Sequence, residues 1–509
     1  MLAYLKRLVR TGAAYQFGDI LAKGFALVTI PLYTRHVTQA GYGAANSLLT
    51  AVILASILLR LGVGEAFIRF YYEDEDDARR TRIARTATAT VAWTTTLAVI
   101  VAIPLAGPLS RLILGFEDPL LMDCAILGLW AFTNLEMAYA QLRVDERTRA
   151  YVWASGANVA MTVTFTVALV VFADQGARGL LLGNFGASAL VVLGLWWLLR
   201  RRVSFRVRVG DLRAMLHFGL PTVPADASVY ALQVVDRFYL FRVYSHSAAG
   251  DYAVAIQFAT VVFVVVRGFQ YAWPPLAYSI DSDAQASRLY ALVTTYFVLA
   301  TGAVVVAVAL LARWIVRLLA APQYFGAHAA LPWLALGWTL FGLYQVMIVI
   351  TGRARATSRN LPAALAGLVV NVALLLWLVP AGGLNLGIAG AGIALCGAYV
   401  AMLAIMHLLT RRLLPVAFQW RRLAQLAAIL AGVAVSGELL LPTAGFAGLV
   451  LRVLWLALFP TLLLATRFFR PHERAQARAL VADARQRVAA FRAHHGDVEA
   501  YAEEPLRDL

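Results

Sequence analysis

Asp19 and Lys23 stand four residues apart within "YQFGDILAKGF", a stretch that otherwise reads as apolar helix. Residues four apart share a helix face, so this pair, with Tyr15 one turn earlier, gives a first helix a polar stripe. Asp226, Tyr230, Gln233 and Arg237 form a second set at steps of 4, 7 and 11. At about 100° per residue those steps keep all four within about 60° of arc on one continuous helix. Arg60 shares a face with Asn46 and Thr50, and Arg267 shares one with Thr260 and Tyr271. Charge inside a bilayer is expensive, so it normally faces protein or a water-filled path. The chemistry on offer is binding: cations for an anionic group, hydroxyls and amides for a polar one, and carboxylates for a proton or a metal cation. Two inert readings compete. Asp19 and Lys23 can neutralise one another merely to ease insertion, and Arg60 and Arg267, about a turn from their helix ends, can snorkel to headgroups.

The elements carrying these residues must cross a membrane. The chain has 509 residues, of which 61% are hydrophobic and 14% charged, with a mean hydropathy of +0.72. That composition excludes an ordinary soluble domain. Fourteen apolar runs of about the 20 residues needed to span hydrocarbon fall near 12–33, 43–64, 87–106, 119–141, 151–172, 179–199, 214–241, 251–273, 289–312, 328–351, 362–380, 387–409, 423–442 and 446–466. With the N-terminus on the inner side, inner segments hold 33 of the 44 Lys and Arg and outer loops hold 6. This is the positive-inside bias, and it places both termini in the cytoplasm. The net charge of +16 is then a matter of topology and anionic lipid rather than of nucleic acid. Cys124 and Cys396 lie in separate spans and imply neither a disulfide nor a metal site. No cofactor is expected, although Asp19 or Asp226 offers a seat for a coupling proton or sodium ion.

The chain repeats itself. Asp19 and Asp226, Arg60 and Arg267, Tyr71 and Tyr278, Asp74 and Asp281, and Asp76 and Asp283 are all 207 residues apart. Tyr42 and Tyr252 follow at 210, and Asn158 and Asn371 at 213. The unit is six spans, an even number, so both copies face the same way around an axis along the membrane normal, with a cavity between them as the default substrate site. The expected fold is therefore an all-α polytopic membrane protein of about 14 helices. It comprises six-helix bundles at 1–205 and 206–415, two added helices at 416–468, and a basic amphipathic tail at 469–509 that can lie on the inner leaflet. In the seventh span, Pro221 and Pro224 should kink or break the helix. The repeated Asp-x-Asp motifs at Asp74, Asp76 and Asp281, Asp283 are weak candidates for metal-diphosphate binding; loop and helix-cap roles suit them better.

The segment from Tyr15 to Asp76 resembles the start of the polysaccharide-biosynthesis flippases of the multidrug/oligosaccharidyl-lipid/polysaccharide exporter superfamily. The likeness runs through a Gly-rich first helix, the exit Pro31 to Arg35, the entry Tyr42–Gly43, and the Arg-Phe-Tyr-Tyr run ending at Tyr72. The two-bundle layout extends it over about residues 1 to 410. The resemblance implies a transporter in a bacterial inner membrane that carries undecaprenyl-diphosphate-linked oligosaccharide across by alternating access, with membrane lipids, a polysaccharide polymerase and export machinery as its partners. It also implies a cationic cavity for the diphosphate, and Lys23, Arg60, Arg237 and Arg267 lie on the spans that would line it. Only the cavity's location carries over, because no single phosphate-binding motif can be matched. The alternatives are a multidrug or small-cation exporter of the same superfamily, using Asp19, Asp226 and Asp236, and a membrane-embedded glycan polymerase.

Overall fold

The computed structural model describes residues 24, 29–73, 76–278, 280, 282–354, 356 and 359–470. Apart from Gly24, the first span up to Val28, with Tyr15, Asp19 and Lys23, lies outside the described residues, as do the tail beyond Arg470, Asp74 and Asp281. What is described is helical throughout, with short connections. Residues 29–36 end the first span. The first half continues as α1 (Gln39–Leu59), α2 (Val63–Tyr72), α3 (Asp77–Ala102), α4 (Ala106–Leu114), α5 (Pro119–Val144), α6 (Thr148–Val167) and α7 (Gly176–Leu198). The second half comprises α8 (Val209–Gly219), α9 (Val223–Leu232), α10 (Val235–Tyr239), α11 (His246–Tyr278), α12 (Asp283–Leu319), α13 (Leu331–Arg353), α14 (Asn360–Leu378) and α15 (Gly387–Thr410). Helices α16 (Trp420–Leu440), α17 (Gly445–Leu456) and α18 (Leu458–Ala465) follow.

Among the described residues, twelve helices are long and apolar enough to cross a bilayer. The expected seventh span is absent from that set because it is broken twice. Pro221 and Pro224 coincide with a 3₁₀ turn at Leu220–Thr222, as their missing amide hydrogens require. A second break, at Gln233 and Val234, has no proline to announce it. The helix starts carry the repeat: Gln39 and His246, Asp77 and Asp283, Pro119 and Leu331, Thr148 and Asn360, and Gly176 and Gly387 are pairs separated by 206 to 212 residues. The copies differ at one joint. Gly62, with φ +69, separates α1 from α2, whereas α11 runs unbroken through the corresponding Phe269.

A single apolar core runs through both halves, joining Leu48 and Val52 of α1 to Tyr252 and Phe258 of α11. Buried hydroxyls inside it are satisfied locally. Thr88, Thr95, Thr133, Thr294 and Thr301 each donate to the carbonyl four residues back, the arrangement that makes threonine tolerable at membrane depth. The basic loops are tied by charge. Tyr71 donates to Asp145 at 2.6 Å, and Arg202 reaches Tyr71, Asp145 and Asp77. Burial pushes the Tyr71 phenol up, so it stays protonated and can donate. Asp76 caps α3 by accepting from the amides of Ala78 and Arg79, and Asp283 pairs with Arg353 at 2.9 Å. Both are structural roles.

The last helices dock on α12 through a charge that the sequence reading passed over. Arg452 of α17 is 1% exposed. It donates to the Leu310 carbonyl at 3.1 Å and to Glu438 at 2.7 Å, and Arg313 of α12 holds the other Glu438 oxygen at 2.7 Å. The Arg452 charge is thereby paired and hydrogen-bonded, the condition under which a buried charge is tolerated.

Candidate functional site

Two helices from different halves, α1 and α11, cross where neither has a side chain. A Cβ on Gly43 would stand 2.9 Å from the His246 carbonyl, and one on Gly250 would overlap the Gln39 carbonyl. This crossing closes the end of the bundle away from the basic loops. Gln39 donates to Asp251 at 2.8 Å and to the Gln323 carbonyl, Gln323 donates to the Thr34 carbonyl at 3.0 Å, and Tyr324 donates to the Val37 carbonyl at 2.7 Å. The Tyr42 and Tyr324 rings meet edge to face at 6.0 Å. Each hydrogen bond lost here is worth about 1 kcal/mol net, or roughly a fivefold shift between closed and open. In a background of Cys124→Ala and Cys396→Ala, an impermeant maleimide added from that side should label Leu49→Cys several-fold faster once Gln39→Ala and Tyr324→Phe are introduced. Unchanged labelling would show that these bonds are not the closure.

Below this closure lies Arg237. The break at Gln233 and Val234 sets it on the short helix α10, turned toward the first half. Its Nη1 donates to Thr50 Oγ1 at 2.9 Å and to Asn46 Oδ1 at 3.4 Å, both on α1. Tyr230 reaches the Thr50 carbonyl at 3.4 Å. Thus four residues singled out from the sequence, Asn46, Thr50, Tyr230 and Arg237, do converge, but across the two halves rather than as a stripe on one helix. Gln233 turns elsewhere and hydrogen-bonds Tyr399.

Arg237 makes no ion pair with a described residue. Among the described residues no carboxylate lies within ion-pair reach of its guanidinium, and its Nε is buried without a partner. The adjacent Asp236, 1% exposed, is taken up by the Tyr252 hydroxyl and by the Arg237 amide at 2.8 Å. Asp236 acts on Arg237 through space, but a guanidinium hydrogen-bonded to neutral hydroxyl and amide groups at membrane depth still keeps donors that an anion would satisfy.

The other expected cations are placed differently. Arg60 caps α1, its Nε donating to the Ser56 carbonyl at 3.4 Å, and it shares its surroundings with Asp226 and Glu65, whose charges interact. Arg267 lies over the Phe263 ring at 5.0 Å and donates to Gln270 at 3.3 Å. Neither joins Arg237 in one cluster.

On the first-half side of Arg237 a cavity of about 290 Å³ opens between the end of the first span, at Thr29 and Tyr33, and helices α1, α6 and α7. Its wall includes Asn46, Asn158, Thr162, Thr166, Asn184 and, from α11, Gln257, and no described lining residue carries a charge. Apart from Asn46, and from Asn158 as a repeat marker, the sequence reading missed this wall. A signal was present, because Asn158, Thr162 and Thr166 recur every four residues, which is a polar stripe on an apolar helix.

Comparison with known proteins agrees with this architecture. A family model described as polysaccharide biosynthesis protein matches residues 8–277. Lsg locus putative protein 1 of Haemophilus influenzae is 23% identical over 287 residues, covering 53% of this chain and 66% of that protein, just under two thirds of its length. Among solved structures, the lipid II flippase MurJ in an inward closed conformation superposes with a TM-score of 0.66 at 12% identity, over 91% of this chain and 100% of that one. An inward-facing multidrug resistance MATE family transporter of the MOP superfamily gives 0.64 at 14% identity, over 79% of this chain and 96% of that one. At these identities the likeness is one of fold.

Proposed function

The chain belongs to the polysaccharide biosynthesis protein family, and from that premise we propose that it moves a polyprenyl-diphosphate-linked glycan across the bacterial cytoplasmic membrane by alternating access. The observation that carries this reading is Arg237, a cation at the seam between the halves that makes no ion pair with a described residue and is held by Asn46 and Thr50. A diphosphate crossing a low-dielectric core needs compensating positive charge, and the same Coulomb attraction is several-fold stronger there than in bulk water. The polyprenyl tail stays in lipid while the polar head uses the seam. Closure by the Gln39, Asp251 and Tyr324 network is one of the two end states that such a cycle requires. In this reading the basic loops and both termini face the cytoplasm. The chain acts as a transporter and makes no covalent bond.

The test is transbilayer movement in proteoliposomes. The purified full chain should carry a fluorescent polyprenyl-diphosphate sugar to the opposite leaflet, where a membrane-impermeant quencher reports it, and should leave labelled phosphatidylcholine in place. A chain that moves tetraphenylphosphonium and leaves the polyprenyl diphosphate behind would instead be a cation exporter.

A further inference from the structure

The polar cavity beside Arg237 has a counterpart in the second half, and the two are unlike. The register between the halves is set by Asn158 and Asn371 and by the helix starts Gly176 and Gly387. In it, Asn184 corresponds to Leu395, Thr162 to Leu375, Thr166 to Val379, and Asn46, at the offset of 207, to Ala253. All four second-half residues are apolar and buried. The space left there, bordered by Gln233, Asp236, Arg237, Ile256, Leu334 and Leu395, is only about 20 Å³. One backbone plan therefore carries a filled pocket on one side and an open, polar one on the other. An unfilled cavity forfeits packing energy, and amides at membrane depth are costly. The fold does not demand the cavity, since the second half does without it; that half keeps one amide at the equivalent place, Asn371, buried with neither side-chain polar atom partnered.

The wall states what the cavity would hold. Carboxamides offer two donors and an acceptor each, and the threonine hydroxyls offer both roles; such a set matches the mixed donors and acceptors of adjacent sugar hydroxyls. With no described cation in the wall, a uronic acid carboxylate would be desolvated without a partner. The volume of about 290 Å³ lies near the lower end of the roughly 300–1,000 Å³ of small-ligand sites, enough for one ring and not for an oligosaccharide. Asn46 fixes which ring: its side chain lines this cavity and also accepts from Arg237 at 3.4 Å. Cation and cavity are one side chain apart, so the ring held here is the one bonded directly to the diphosphate.

We propose that the first-half cavity is a binding subsite for a single neutral pyranose, the sugar attached to the lipid diphosphate, and that Asn158, Asn184 and Thr162 select it. This rests on the lipid-diphosphate reading above, and the two can fail separately.

The full chain in detergent is titrated with three probes: polyprenyl diphosphate, the same lipid bearing one neutral hexose or N-acetylhexosamine from a small panel, and the same lipid bearing a uronic acid. At least one neutral sugar should tighten binding over the bare diphosphate, and the uronic acid should not. Asn158→Ala with Asn184→Ala should erase that gain, a loss of about tenfold for two or more hydrogen bonds. Thr162→Val, which changes shape least, should erase part of it. Both variants should bind bare polyprenyl diphosphate as the parent does, which also shows that they are folded. The subsite is overturned if no neutral sugar adds affinity, if the uronic acid adds as much, or if the substitutions weaken bare and glycosylated lipid equally. If the parent binds no polyprenyl diphosphate at all, the transport reading falls and takes the subsite with it.

Discussion

Replacing Arg237 by alanine abolishes translocation of the lipid diphosphate while the purified protein keeps or raises its melting temperature. The two effects have one cause. Among the described residues the guanidinium is held by Thr50 and Asn46 alone, its Nε is buried without a partner, and it stabilises the empty protein little. A hydrogen bond to a charged group contributes about 1.5–3 kcal/mol, and tenfold in affinity is about 1.4 kcal/mol. Losing the charge and its fork should therefore weaken diphosphate binding between about tenfold and a few hundredfold. Arg237→Lys keeps a point charge and loses the planar guanidinium whose Nη1 donates to both Thr50 and Asn46, so it should fall between the parent and Arg237→Ala. Arg237→Glu should be inert. The readouts are the proteoliposome assay and thermal unfolding on the same preparations. Full transport by Arg237→Ala would remove the cation from the mechanism.

The largest loss of stability is expected at Gly62. Its φ of +69 lies in the left-handed region, where a side chain costs about 1–2 kcal/mol. A Cβ there would also overlap the backbone carbonyl of Gly219, and a Cβ on Gly219 would overlap the carbonyl of Gly62. The obstacle is backbone, so no rotamer change relieves it, and the halves would have to part where α2 packs on α8, with Arg69 over the Phe218 ring at 4.3 Å. Gly62→Val should cost more than about 4 kcal/mol, the range reserved for strain and overpacking combined. It should appear as loss of monodisperse protein or a collapse in melting temperature. Gly156→Ala serves as the control. That glycine sits within α6 with nothing within 4 Å of the added Cβ, so alanine should be neutral or stabilising by about 0.5–1 kcal/mol. Equal behaviour of the two variants would mean that the Gly62–Gly219 contact does not hold the halves together.

The repeat made half of the site predictable. Asn46, Thr50, Tyr230 and Arg237 were legible because each is a polar residue in a run where polarity is expensive. Their grouping was legible only in outline. The stripe argument assumed one continuous helix from Asp226 to Arg237, and the break at Gln233 and Val234 rotates Arg237 onto a different axis from Gln233. Arg60 and Arg267 look equivalent to Arg237 in sequence, yet one has Asp226 and Glu65 for neighbours and the other lies over Phe263. Arg452 looks like a fifth such charge and is instead a docking residue with a partner at each of its three nitrogens.

Some properties of this chain are local sums, and these the amino-acid order determined by itself. They are the apolar runs long enough to span hydrocarbon, the bias of Lys and Arg to alternate loops, the offset near 207 that makes two halves, and the prolines that break the seventh span. A bilayer reads each of them segment by segment, without knowing what packs where. The rest depended on helix rotation, which no segment carries within it. Tertiary packing decided that Arg237 meets α1, that glycines 62 and 219 touch, and that the Asn158 side of the molecule stays open while the Asn371 side is filled by leucine and valine. Identical offsets along the chain can face a cavity in one half and a packed core in the other, because which face turns inward is set by the partner's side chains.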